Sequence, residues 1–109
     1  MTFTAVVITA HLPSRGTINL GVLVLDEATN RIHIRFRTDL DGIADPLDLE
    51  VIQGFPEMIE SMAVEMGAAG VLLYLEDRAS NAIRLGDRAT IHGDNALDAL
   101  DREFARHVV

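Results

Sequence analysis

The chain has 109 residues, a length that suits one domain, and 49% of them are apolar, enough for a packed core and too many for intrinsic disorder. It contains no cysteine, which excludes disulfides, thiolate zinc sites and cysteine nucleophiles and fits a reducing cytoplasm. A formal net charge of −8 is repelled by phosphate backbones and anionic lipid, so nucleic acid and membrane surfaces are poor partners and a basic protein is a better one.

Residues Phe3 to Leu12 read as a strand with apolar residues on both faces, the mark of a central, doubly covered position. Pro13-Ser14-Arg15-Gly16 is a turn. Thr17 to Leu25 is a second strand, with Ile18, Leu20, Val22 and Val24 expected on one side. Gly21 there opens room for close approach from the other side. A hairpin connection follows at Asp26 to Asn30, and Asn30 is a candidate for positive φ. Arg31 to Arg37 alternates strictly, Ile32, Ile34 and Phe36 inward and the arginines and His33 outward, so the outer face is solvated or meets an acidic surface.

The acidic stretch Asp39 to Glu50, with Gly42 and Pro46, reads as a loop. Phe55 to Met66 switches to helical spacing, with Pro56 in the first turn and Gly67 at the position after the last. Ala68 to Ala79 fits a helix, although Val71 to Leu75 alone also suits a buried strand. Ile83 to His92 reads as a fourth strand interrupted near Gly86-Asp87. Gly93-Asp94-Asn95 starts a last helix with Leu97, Leu100, Phe104 and Val108 as its apolar stripe, Asp94, Asp98 and Asp101 early and Arg102, Arg106 and His107 late. In that helix Asp98 and Arg102 are spaced to pair. The order βββααβα predicts a single α+β domain over residues 1–109, an antiparallel sheet with helices packed on one face.

No segment is apolar for long enough to span a bilayer, and the N-terminus lacks the basic start of a secretory signal. Asp39, Asp41, Asp45, Asp48 and Glu50 carry the oxygen ligands that calcium or magnesium prefers, but Ile43, Ala44 and Pro46 break the calcium-loop pattern, so a solvated loop is expected. His11, His33 and His92 all lie on strands without zinc-ligand spacing. Serines lack a nucleophile-elbow context and glycines match no phosphate loop. Two polar groups remain as candidate binding residues. Arg31, Arg35 and Arg37 form a basic stripe whose guanidinium forks suit carboxylate or phosphate, and Arg15 with Asn19 flanks the first turn beside the gap at Gly21.

Two stretches stand out together: Pro13-x-Arg15-Gly16-x-Ile18-Asn19-Leu20-Gly21-Val22, and Ala99-Leu100-Asp101-Arg102-x-Phe104-x-x-His107-Val108. Jointly they resemble a bacterial family of small proteins of unassigned function, whose members are often encoded beside HipA-like kinases. The chain departs from that pattern at Thr17 and at His11-Leu12-Pro13. The resemblance implies a stand-alone cytoplasmic protein and supplies no catalytic residues. The expectation is therefore a non-enzymatic binding or regulatory module without cofactor or metal, acting through protein contacts. Met58, Met62 and Met66, with Phe55 and Ile59 beside them, and the Leu97, Leu100 and Phe104 stripe of the last helix make more apolar surface than one sheet hides, so a homodimer is expected. The competing readings are a metal-dependent hydrolase or nuclease using the Asp39 to Glu50 cluster, and an anion-binding sensor using the arginines.

Overall fold

The computed structural model describes residues 1–12, 16–38, 46–77 and 83–108. Strands β1 (Thr2–Leu12), β2 (Gly16–Asp26) and β3 (Arg31–Phe36) form the expected antiparallel meander. Helices α1 (Pro46–Met66) and α2 (Ala68–Asp77) follow. The chain then returns as β4 (Ile83–Leu85) and β5 (Ala89–His92) and closes with α3 (Ala96–His107). The sheet order is β3-β2-β1-β4, and β5 also pairs with β1, so β4 and β5 are two pieces of one interrupted edge. The break falls at Gly86–Arg88, where Gly86 N–H still donates to the Val7 carbonyl at 2.9 Å.

The α+β class and antiparallel sheet are those expected. The helices, expected together on one face, divide between the two. Val6, Ile8, Ala10, Leu23 and Leu25 pack with Ile52, Ile59, Val71 and Leu72 of α1 and α2. Phe3, Ala5, Val22 and Val24 pack instead with Ala96, Ala99 and Leu100 of α3. The physical reason is the two-sided apolar pattern of β1 and β2: each face must be covered, and each fully buried Val, Leu or Ile is worth about 1.5–3 kcal/mol.

A second difference lies within β2. Ile18 and Leu20 do not share a face with Val22 and Val24. The β1–β2 register shifts between Ile8 and Thr9, with Ile8 opposite Gly21 and Thr9 opposite Asn19, so Leu20 is the extra residue of a bulge. The bulge puts Leu20 with Leu23 and Leu25 in one core and leaves Val22 and Val24 in the other. Gly21 is required at this point. A Cβ there would collide with the Arg35 carbonyl oxygen and lie 2.5 Å from the Phe36 ring.

Helix α1 begins nine residues earlier than the spacing predicts. Pro46 is its first residue, where a missing N–H costs nothing, and Pro56 lies inside it. The last part of the expected acidic loop, including Asp48 and Glu50, is therefore helical, while Asp39, Asp41 and Asp45 lie outside the described residues. Residues 68–77 are helix, as read.

The α1–α2 junction depends on two residues of unusual backbone. Gly67 has φ +77° and its N–H donates to the Ala63 carbonyl at 3.0 Å, ending α1. Asn30, with φ +56°, reaches over from the β2–β3 turn, and its Oδ1 accepts the Ala68 N–H at 3.0 Å. Glycine has no side chain to cap α2, so a distant asparagine supplies the cap. Helix α3 is capped conventionally: Asn95 Oδ1 accepts from the Asp98 N–H at 2.8 Å. Leu97, assigned to its inner stripe, is 59% exposed; Ala96, Ala99, Leu100 and Glu103 are the buried residues.

Candidate functional sites

The outer face of β3 meets α3. Arg35 donates to the Asp101 carboxylate at 2.8 Å and its guanidinium lies 4.2 Å from the centre of the Phe104 ring. Of the two outcomes expected for this face, solvation or an acidic surface, the second holds at Arg35. The Arg31 side chain makes no hydrogen bond or ion pair among the described residues. It borders a shallow groove of about 650 Å³ with Asp26, His33, Asn95, Leu97 and Asp98. Two carboxylates in that lining make it an unfavourable seat for an anion.

Asn19 and Arg37 are brought together at the other end of α3. Asn19 Nδ2 donates to the His107 carbonyl at 2.7 Å, and the Arg37 guanidinium donates to the Asn19 carbonyl at 3.3 Å. His107 in turn lies 3.1 Å from the buried Glu103 carboxylate, one turn back. The two motif stretches thus meet in space: Asn19 of one satisfies a terminal carbonyl of the helix that carries the other. Together with the bulge at Gly21, this locks α3 to the sheet. Arg15 lies outside the described residues.

The histidines do not converge. His92 pairs with Thr2 at one end of β1, whereas His11 is nine residues along the same strand, about 30 Å away in extended chain. His33 stands opposite Val24, itself opposite Ala5. No group of three metal-binding side chains occurs among the described residues. Expected pairing between Asp98 and Arg102 is replaced: Arg102 donates to the His92 carbonyl, and Asp98 accepts from the Asn95 amide at 2.9 Å.

A two-bonded ion pair ties α2 to the β4–β5 edge. Arg88, between β4 and β5, holds Glu76 of α2 through two hydrogen bonds of 2.8 and 2.5 Å. These bonds, helped by the arginine's charge and opposed by partial burial, hold the Glu76 carboxyl below its ordinary range.

The remaining surface is the outer side of α1 and α2, which sequence reading approached only through the methionine row. Met62 is half-buried against the core, and Met58 and Met66 are partly exposed. The most exposed apolar side chains here are Val64, at 88%, and Leu73, at 61%, with Tyr74 also exposed. Between Pro46 and Asp77 there is no Lys, Arg or His, while Glu50, Glu57, Glu60, Glu65, Glu76 and Asp77 are all exposed. Apart from Glu76, none of these makes an ion pair among the described residues. No helix of the described residues is long and apolar enough to cross a membrane.

Comparison with protein-family models, curated proteins and solved structures finds no match to this chain, so the family resemblance rests on the two motif stretches alone.

Proposed function

We propose that this protein is a non-enzymatic binding module that works through protein contacts made by its α1–α2 layer. The observation that carries the reading is the exposure of Val64 and Leu73, with Met58, Met66 and Tyr74 nearby in sequence on the same two helices. Large apolar side chains left uncovered on one layer mark an interaction surface better than scattered ones do. Supporting it, the polar residues with candidate chemistry are engaged in holding the fold: Asn19 and Arg37 fasten the end of α3, and Arg35 is paired with Asp101. A second copy of the chain is the weaker occupant of the layer, because both copies bring the same carboxylates.

The test is a double variant, Val64→Asp with Leu73→Asp, used as bait in the native host beside the unaltered chain. Both positions are exposed, so the thermal midpoint should hold within a few degrees. The proposal expects a partner captured by the native chain and lost by the variant. Equal capture by both would overturn it. Light scattering across a tenfold dilution separates the homodimer, which would double the 11.9 kDa mass.

A further inference from the structure

We infer that the occupant of the α1–α2 layer is a basic amphipathic helical segment of a partner protein; this rests on the reading of that layer as the binding surface. Three observations carry it. First, charge: the 32-residue span from Pro46 to Asp77 contains seven carboxylates, Asp48 and the six exposed ones, and no basic side chain. In a typical helical layer acids and bases alternate and neutralise one another, whereas α1 and α2 supply no cation of their own and, among the described residues, are flanked by Arg31 and His33 of β3 and by Arg88. Among the described residues, the carboxylate of this span that is paired with a basic side chain is Glu76, by Arg88.

Second, apolar and acidic groups interleave at helical spacing. On α1, Glu57, Glu60 and Val64 succeed one another at intervals of three and four, which places them along one outer strip. On α2, Leu73 precedes Glu76 and Asp77 at three and four. A partner helix with leucine-like residues along one stripe and Lys or Arg flanking it meets both features: its stripe covers Val64 and Leu73, and its cations face the carboxylates. An anionic membrane offers the apolar component with the wrong charge.

Third, the layer contains the adaptable side chains such a contact uses. Met58 and Met66 are partly exposed, unbranched and polarizable, and they conform to an irregular partner face at low cost. A groove of about 330 Å³ runs beside Val64 between α1 and β3, lined by Ile32, Glu60 and Ala63 and, on the β3 side, by Arg31 and His33, so the recess suits an apolar side chain of the partner while its cations face the carboxylates outside it.

The experiment uses a labelled synthetic lysine–leucine amphipathic helix of about five turns as probe, with a glutamate–leucine helix of the same pattern as control, read by fluorescence anisotropy. The inference expects the basic helix to bind and the acidic one not to. Val64→Ser with Leu73→Ser, which leaves the charge unchanged, should weaken binding roughly tenfold. Glu57→Gln with Glu60→Gln should weaken it and flatten its salt dependence. Ala105→Ser, on the exposed side of α3, should change nothing. If the serine variant binds as tightly as the native chain, the attraction is one of bulk charge and the inference fails. Equal binding of the acidic helix, or no binding of the basic one, overturns it as well. Should the native partner be lost from the aspartate double variant while the basic helix fails to bind, the layer is the working surface and its occupant has a different chemistry. A partner retained by that variant removes the surface itself.

Discussion

At the scale of single residues, Gly21 is the position that sequence reading came nearest to explaining. The need for close approach was legible, because a glycine among β-branched neighbours has few other reasons to stand there. What was not legible is that the residue facing it comes from β3, and that a bulge reverses the faces of β2; strand alternation has no term for an inserted residue. Gly21→Ala should destabilise by about 3 kcal/mol, since the obstacle is the Arg35 carbonyl and not a movable side-chain tip. Urea denaturation would show it; a loss under 1 kcal/mol would mean that the β2–β3 contact is looser than described. Asn19→Ala should cost about 1 kcal/mol by leaving the His107 carbonyl unpaired, and should raise amide exchange in the last turn of α3 before the rest of the helix. Phe36, stacked on Phe55 with ring centres 5.8 Å apart, is half-buried at the sheet edge, so Phe36→Ala is expected to cost about 3 kcal/mol, at the low end for a core phenylalanine.

At the scale of elements, α1 shows how strongly a proline can mislead. Pro56 followed by a clean apolar stripe reads as a first turn, and Pro46, well upstream, satisfies the same rule. The helix continues through Pro56 because Ile52, Phe55 and Ile59 pack on the sheet, and that burial outweighs one lost backbone hydrogen bond. The turn residues were more readable: Asn30 and Gly67 were recognised by chemistry alone, though their contact with each other was not. Asn30→Gly should keep the turn and lose the cap on α2, costing about 1 kcal/mol, and Asn30→Ala should cost more because it also strains the turn. No loss in Asn30→Gly would show the cap to be immaterial, and equal losses in the two variants would show that the turn accepts alanine without strain. The Glu76–Arg88 tether makes a pH-dependent contribution. Its folded carboxyl ionises below the ordinary value of 4.5, so the stabilisation is complete above that pH and is lost as pH falls through the lowered value. The pair is largely exposed, which limits it to about 0.2–1 kcal/mol. The stability difference between the native chain and Glu76→Gln should therefore shrink below about pH 4.5; a difference that stays constant down to pH 3 would contradict the assignment.

At the scale of the whole molecule, a five-stranded sheet is covered by α1 and α2 on one face and by α3 on the other. Sequence alone supplied the class, the order and the central place of β1. It placed the helices on one face because helix order gives no sign of which side of a sheet a helix crosses to. That information lies in the bulge and in the Asn19–His107 contact, both non-local. The candidate surface was half legible for a related reason. The methionine row was visible, but Val64 and Leu73 emerge as the exposed residues only once the buried stripes of α1 and α2 are fixed against the sheet. The contacts of Arg35, Asp101 and Asn19 hold α3 to the sheet, and the layer of α1 and α2 is the side proposed to meet a partner. The most direct measurement is cross-linking in the native host from a photo-reactive phenylalanine analogue placed at Val64, and separately at Ala105 on the exposed side of α3. The account predicts a discrete cross-linked partner from position 64 and none from position 105. The same partner captured from position 105 and not from 64 would contradict it.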